Sequence, residues 1–181
     1  MRVLDTDIDG VKIVEPVVHG DSRGFFLESF NEQSFCEQLG KRVRFVQDNH
    51  SRSAGGVLRG LHYQINQVQA KLVRVVIGEI FDVVVDLRRS SPTFGKWTGT
   101  RLSAENFRQL WVDAGFAHGF VVLSDMADVI YKTTDFYSPS DERCIIWSDS
   151  DLAIDWPIHG EPTVSNRDRE GVRFKDAELF V

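Results

Sequence analysis

Three side chains in this sequence have the types needed to move a proton on and off carbon: His62, Lys71 and Tyr131. A neutral imidazole takes a proton near pH 7, and a phenol of ordinary pKa ~10 returns one. An ammonium group steadies the negative charge that exists between the two events. His62 lies in Arg59-Gly60-Leu61-His62-Tyr63-Gln64, beside a glycine, and Lys71 follows at the head of a valine-rich run. Upstream come the polar and basic residues Gln47-Asp48-Asn49-His50 and Arg52; downstream comes a second histidine, His118. Proton transfer is the chemistry these residues offer, provided that one pocket holds them.

The elements that must position them are strands. From about Val43 the chain reads as short β-rich runs over 43–50, 57–64, 71–77, 80–87, 97–102, 109–113, 119–123, 128–134 and 143–147. Turn residues separate these runs, a spacing that points to an all-β sandwich or barrel. Alternation puts Lys71, Val73, Val75 and Ile77 on one face of their strand. Phe116, His118, Phe120 and Val122 make a second inward row, and Val129, Tyr131 and Thr133 a third. Strict alternation sends Arg59 and His62 to opposite faces. Either Arg59 points outward or Gly60 carries a bulge that turns both into one pocket, and the bulge is the favoured reading.

Ahead of these runs, residues 11–18 read as an N-terminal strand, placed at an edge because of Pro16. Asp21-Ser22-Arg23-Gly24 is a turn, and Phe25 to Phe30 a returning strand. A short helix opens at Asn31, carries Phe35 and Leu39 on one face, and ends at Gly40. Further helical turns are expected at Ser103–Asn106 and Asp151–Ile154, and the tail 163–181 is expected to pack on the body through Leu179, Phe180 and Val181.

Composition narrows the function classes. The chain has 181 residues, 42% of them hydrophobic, which fits one domain over residues 1–181 with its own core. A formal charge of −6 argues against a nucleic-acid binder. The two cysteines, Cys36 and Cys144, read as free thiols of a reducing compartment. The start Met-Arg-Val-Leu-Asp is too charged for a secretory signal, and no run is long enough to span a membrane. The expected setting is the cytoplasm.

Taken singly, each of these residues has a plainer reading. A strand histidine is commonly a satisfied structural group, and that reading holds for His19, His50 and His159. Arg23, Arg59 and Arg167 are by default surface arginines, Glu28 and Glu142 solvated carboxylates, and Tyr63 and Tyr137 core or rim aromatics. His62 stands apart because Lys71 and Tyr131 share its inward parity. A metal is the obvious rival, since jelly rolls of the cupin type hold one through G-x5-H-x-H-x3–4-E-x6-G and a later histidine. Here Gly56, His62, Gly78, Gly115 and His118 fit those patterns. Gln64 and Lys71 stand at two usual ligand positions, and an ammonium there repels a divalent ion. No metal and no redox cofactor is expected.

Together the motifs form a signature. Asp21-Ser22-Arg23-Gly24-Phe25-Phe26, Gln47-Asp48-Asn49-His50-Ser51, Gly56-Val57-Leu58-Arg59-Gly60-Leu61-His62-Tyr63-Gln64 and Lys71-Leu72-Val73 carry it through the first half. Phe81-Asp82-Val83-Val84-Val85-Asp86, Gly115-Phe116-Ala117-His118-Gly119-Phe120, Tyr131-Lys132 and Ser165-Asn166-Arg167-Asp168 carry it through the second. The chain resembles the dTDP-4-dehydrorhamnose 3,5-epimerases over nearly its whole length. The resemblance implies a cupin-type jelly-roll barrel with a few short helices, working without metal as a homodimer that exchanges N-terminal strands. It implies inversion of C3 and C5 of a dTDP-4-keto sugar. His62 is then the base, Asp168 the carboxylate that orients it, Tyr131 the proton donor and Lys71 the partner of the C4 oxygen. Substrate contacts fall on Arg23, Glu28, Gln47, Asp48, Asn49, Arg59, His118, Glu142 and Arg167, with Phe26 and Tyr137 as candidates for stacking on the base. An epimerase acting at C3 or C5 alone, a metal-dependent cupin and a non-catalytic nucleotide-sugar binder remain open alternatives.

Overall fold

Alternating apolar residues build two antiparallel sheets that lie face to face. The structure, a computed structural model, describes residues 1–181. In chain order the strands are β1 (Arg2–Asp5), β2 (Val11–Glu15), β3 (Val18–Asp21), β4 (Gly24–Leu27), β5 (Gln47–Ala54) and β6 (Leu58–Gln64). Then come β7 (Lys71–Ile77), β8 (Glu79–Asp86), β9 (Trp97–Ser103), β10 (Gln109–Val112), β11 (Phe116–Val122), β12 (Met126–Thr133) and β13 (Glu142–Cys144). Helix α1 (Glu32–Leu39) follows β4, and α2 (Asn166–Arg169) lies in the tail, before a 3-10 turn at Phe174–Asp176.

The six-stranded sheet runs β1-β2-β10-β7-β12-β5, and the five-stranded sheet runs β13-β6-β11-β8-β9. This is the jelly-roll layering expected for the chain, with the sheets kept as two layers. Val73, Val75, Leu110 and Val129 of the first sheet meet Ile80, Val84, Phe116, Phe120 and Val122 of the second in one buried core. Each fully buried Val or Leu contributes ~1.5–3 kcal/mol to holding the two sheets together. The outer face of the five-stranded sheet is covered by the chain that follows β13, through Ile145, Leu152, Trp156 and Ala177. The outer face of the larger sheet is covered near β2 and β10 by α1, whose Phe35 is fully buried. Asn31 caps that helix by accepting from the Ser34 amide at 3.1 Å.

Several boundaries differ from the sequence reading, each for a packing reason. Val43 and Phe45 leave the expected run over 43–50 to join Phe35 and Trp111, so β5 begins at Gln47. Phe30 turns into the same aromatic group, which ends β4 at Leu27. Pro16 splits the first expected strand into β2 and β3, and β2 is not an edge, because β1 pairs along it. The row headed by Lys71 holds through Val75. A register shift against β12 then leaves Ile77 42% exposed rather than inward.

Candidate active site

One bulge aligns the site. Opposite β11, residues His118 and Phe120 pair with His62 and Arg59, so β6 spends one more residue than its partner. That extra residue turns both Arg59 and His62 toward the cavity, resolving their parity in favour of the bulge. Gly60 makes it feasible: its φ is +130°, and an added Cβ would stand 2.5 Å from Gly119 Cα.

The cavity opens between the two sheets. The five-stranded sheet contributes Arg59, His62, Gln64, His118, Phe120 and Glu142; the six-stranded sheet contributes Gln47, Asn49, Ser51, Lys71 and Tyr131. His62 and Tyr131 therefore stand on different walls of one space.

Each polar group has a defined partner. His62 Nε2 lies 2.5 Å from Asp168 Oδ1, and Ser165 Oγ donates to Asp168 Oδ2 at 2.8 Å. Ser165 also caps α2 by accepting from the Asp168 amide at 3.1 Å, which fixes the carboxylate in place. Burial pushes the Asp168 carboxyl up, but its bonds with His62, Ser165 and the Gly60 amide outweigh that, and it stays below its ordinary 3.8. Lys71 is 9% exposed, and burial pulls its ammonium down to about 8 against the upward pull of Glu142 and Asp82. Burial, then the Glu142 charge, raises the Tyr131 phenol, which keeps it protonated at neutral pH. His118 Nε2 lies 2.8 and 2.9 Å from the two oxygens of Asp82, a carboxylate that is fully buried.

At the mouth, Glu142 Oε2 accepts from Arg167 Nη1 at 2.7 Å and from the Tyr137 hydroxyl at 2.5 Å. Not every expected contact reaches the cavity. Asp48 faces the outer side of β5 and pairs with Lys132 at 2.9 Å, as strand alternation requires for a neighbour of inward Gln47 and Asn49. Arg23, Phe26 and Glu28 lie on or beside the exposed β3–β4 hairpin, where Arg23 pairs with Asp21 and Glu28 accepts from Asn31. Arg167 lines the adjoining cleft and touches the cavity through Glu142. Asp82 and Ser51 were given no role from sequence. Asp82 stands opposite Phe120 in the β8–β11 ladder, a pairing that only the folded register reveals.

The positions where a cupin would hold a metal do not fit one. Gln64 spends its amide on Gln67 and Phe136 carbonyls at 2.6 and 3.1 Å, and its oxygen on the Ser138 amide at 2.9 Å. Lys71 brings a cation to another of those positions. A second group with ligand chemistry, His62, Cys144 and Asp168, lies within 4.8 Å, but burial and the Asp168 charge push the Cys144 thiol up to about 12, away from the thiolate a metal needs.

A jelly roll whose cavity holds a histidine–carboxylate pair on one wall and a phenol with a buried ammonium on the other carries the groups that an isomerase acting beside a carbonyl needs. The family model for dTDP-4-dehydrorhamnose 3,5-epimerase matches residues 5–176. The chain belongs to the dTDP-4-dehydrorhamnose 3,5-epimerase family. It is 61% identical to the enzyme of that name from Pseudomonas aeruginosa over 180 residues, covering 99% of each chain. Its fold matches, at TM-score 0.95 and 53% identity, the Legionella pneumophila epimerase in complex with dTDP-4-keto-L-rhamnose, covering 98% of this chain and 94% of that one. A 3'-monoepimerase from Streptomyces bikiniensis in complex with dTDP-quinovose matches at TM-score 0.90 and 37% identity, covering 95% and 87%.

Proposed function

We propose that this protein inverts C3 and C5 of dTDP-4-dehydro-6-deoxy-D-glucose, giving dTDP-4-dehydro-L-rhamnose for dTDP-L-rhamnose synthesis. The observation that carries the reading is the placement of His62 and Tyr131 on opposite walls of one cavity. Inversion beside a ketone needs a proton removed from one face and another delivered to the opposite face. His62 removes the proton, and Asp168 favours the imidazolium that forms. The electron pair moves to the C4 oxygen as an enolate, which the buried Lys71 ammonium stabilises. Tyr131 then protonates the carbon from the far wall, and the electron pair returns to carbon as the ketone re-forms. Both carbons flank C4, so one electron sink serves both.

The working form in this proposal is a homodimer in the cytoplasm. The β3–β4 hairpin forms a sheet of its own and leaves Phe25 and Phe26 63% and 71% exposed. It holds Arg23 and Phe26 outside its own chain's cavity, a geometry that suits delivery to a partner's diphosphate and base. Both cysteines are free, which suits a reducing compartment, and no helix is long and apolar enough to cross a membrane.

The test is proton NMR of the keto sugar with the enzyme in heavy water. Loss of the C3 and C5 proton signals together with appearance of the inverted product is expected. Exchange at one carbon alone would instead make this chain a monoepimerase, and tight dTDP binding with no exchange a binding module.

A further inference from the structure

The inward row of β5 runs Gln47, Asn49, Ser51, Ser53. Gln47 Nε2 donates to Asn49 Oδ1 at 3.0 Å, and Ser53 Oγ accepts from Arg59 Nε at 2.9 Å. Ser51 differs from its neighbours. Its hydroxyl oxygen is buried and finds no partner among the protein's own groups, while the residue itself lines the cavity, so rotation about its Cα–Cβ bond is what presents the hydroxyl to a molecule bound there. A hydroxyl held in this way lowers stability unless something entering the cavity bonds it.

The ladder says where that something lies. Ser51 pairs with Val129, and Asn49 with Tyr131, so Ser51 stands one inward step from the phenol on the wall opposite His62. Its neighbours along the row are amide and hydroxyl groups rather than cations, which suits a neutral partner over a diphosphate. Of the two carbons flanking the ketone, C3 bears a hydroxyl, while C5 bears a methyl group and the ring oxygen. We propose that Ser51 is a specificity-determining residue that hydrogen-bonds the C3 hydroxyl and holds C3 in line between His62 and Tyr131. This rests on the epimerase reading above.

The experiment compares Ser51→Ala and Ser51→Thr with the wild type, following deuterium entry at C3 and C5 separately, dTDP affinity by calorimetry, and the melting temperature. Loss of one hydrogen bond to a bound hydroxyl should slow C3 exchange by about 5–10-fold and C5 exchange by less than about twofold. Affinity for dTDP should stay the same, the melting temperature should hold or rise, and Ser51→Thr should recover part of the C3 rate. An equal fall at both carbons, a weakened dTDP affinity, or an unchanged C3 rate would overturn the assignment. A wild-type enzyme without exchange at C3 would overturn the epimerase reading itself.

Discussion

Asp168 meets His62 across 106 positions of sequence, with its carboxylate oxygen 2.5 Å from the imidazole Nε2. The contact exists because the tail folds over the five-stranded sheet and forms there a four-residue helix capped by Ser165. Asp168→Asn keeps the shape and removes the charge, and its amide can hold the imidazole in the wrong tautomer. Turnover should fall roughly 10³-fold with the fold intact by circular dichroism. The same variant has a pH signature. The Asp168 pKa is lower folded than unfolded, so its stabilisation is present above 3.8 and is lost as pH falls through the depressed folded value. Denaturant titrations should therefore show the advantage of wild type over Asp168→Asn at pH 6 and its decline at pH 3.

Lys71 is a stability cost kept for charge. Its folded pKa of about 8 lies below the ordinary 10.5, so the unfolded chain holds the proton more tightly. That penalty is fully present below pH 8 and disappears as pH rises toward 10.5, so stability rises with pH here as it does for Asp168, although Lys71 destabilises at neutral pH where Asp168 stabilises. Lys71→Met should raise stability at pH 7 by up to about 3 kcal/mol, following ~1.4 kcal/mol per pKa unit. It should also lower turnover by about 10²-fold or more while leaving dTDP affinity nearly unchanged. A variant that loses both stability and nucleotide affinity would make Lys71 a binding residue.

Asp82 supplies a further handle on the same lysine. Its carboxylate raises the Lys71 pKa from a fully buried position while holding His118 through both oxygens. Asp82→Asn removes that upward pull, so the alkaline limb of the pH–rate profile, set by loss of the Lys71 proton, should move to lower pH. An alkaline limb that stays in place would detach that limb from Lys71.

The rows of Lys71, His118 and Tyr131 were legible from strand alternation alone, because a one-residue slip would have exposed a whole apolar face. Ile77 broke the rule where a register shift intervened, and alternation has no means of anticipating a shift. The Gly60 bulge was legible as a need, since Arg59 and His62 conflicted without it. The His62–Asp168 contact was available only through family resemblance, because no local pattern links a strand to a tail helix 106 positions away. The Asp82–His118 pair and the orphan Ser51 hydroxyl escaped for a similar reason. Both depend on which groups lack or find partners once the sheets close, and that is a property of packing.

Tyr131 stands apart from His62 by sheet, and burial raises the pKa of its phenol further above neutrality. Tyr131→Phe removes the donated proton and leaves the base untouched. Deuterium exchange from the His62 face should persist within about tenfold, while inverted product should fall by 10²-fold or more. Equal losses in both readouts would place the phenol outside the proton-return step.

The hairpin sets the last prediction. Arg23 and His62 belong to the same chain but to separate cavities, and the proposed hairpin exchange, if two chains make it, would join the Arg23 of one protomer with the His62 of the other. Arg23→Ala homodimers lack the arginine at both sites, and His62→Ala homodimers lack the base at both. In a mixed dimer, the site built on the Arg23→Ala chain keeps its own histidine and receives an intact hairpin from its partner. The second site then lacks both groups. Random mixing makes half of the dimers mixed with half of their sites complete, so co-refolding equal amounts should recover roughly a quarter of wild-type activity. A hairpin that serves its own chain gives every mixed site one defect and no recovery. Recovery of turnover on mixing two inactive variants thus reports directly on whether a cavity takes its arginine from a second chain.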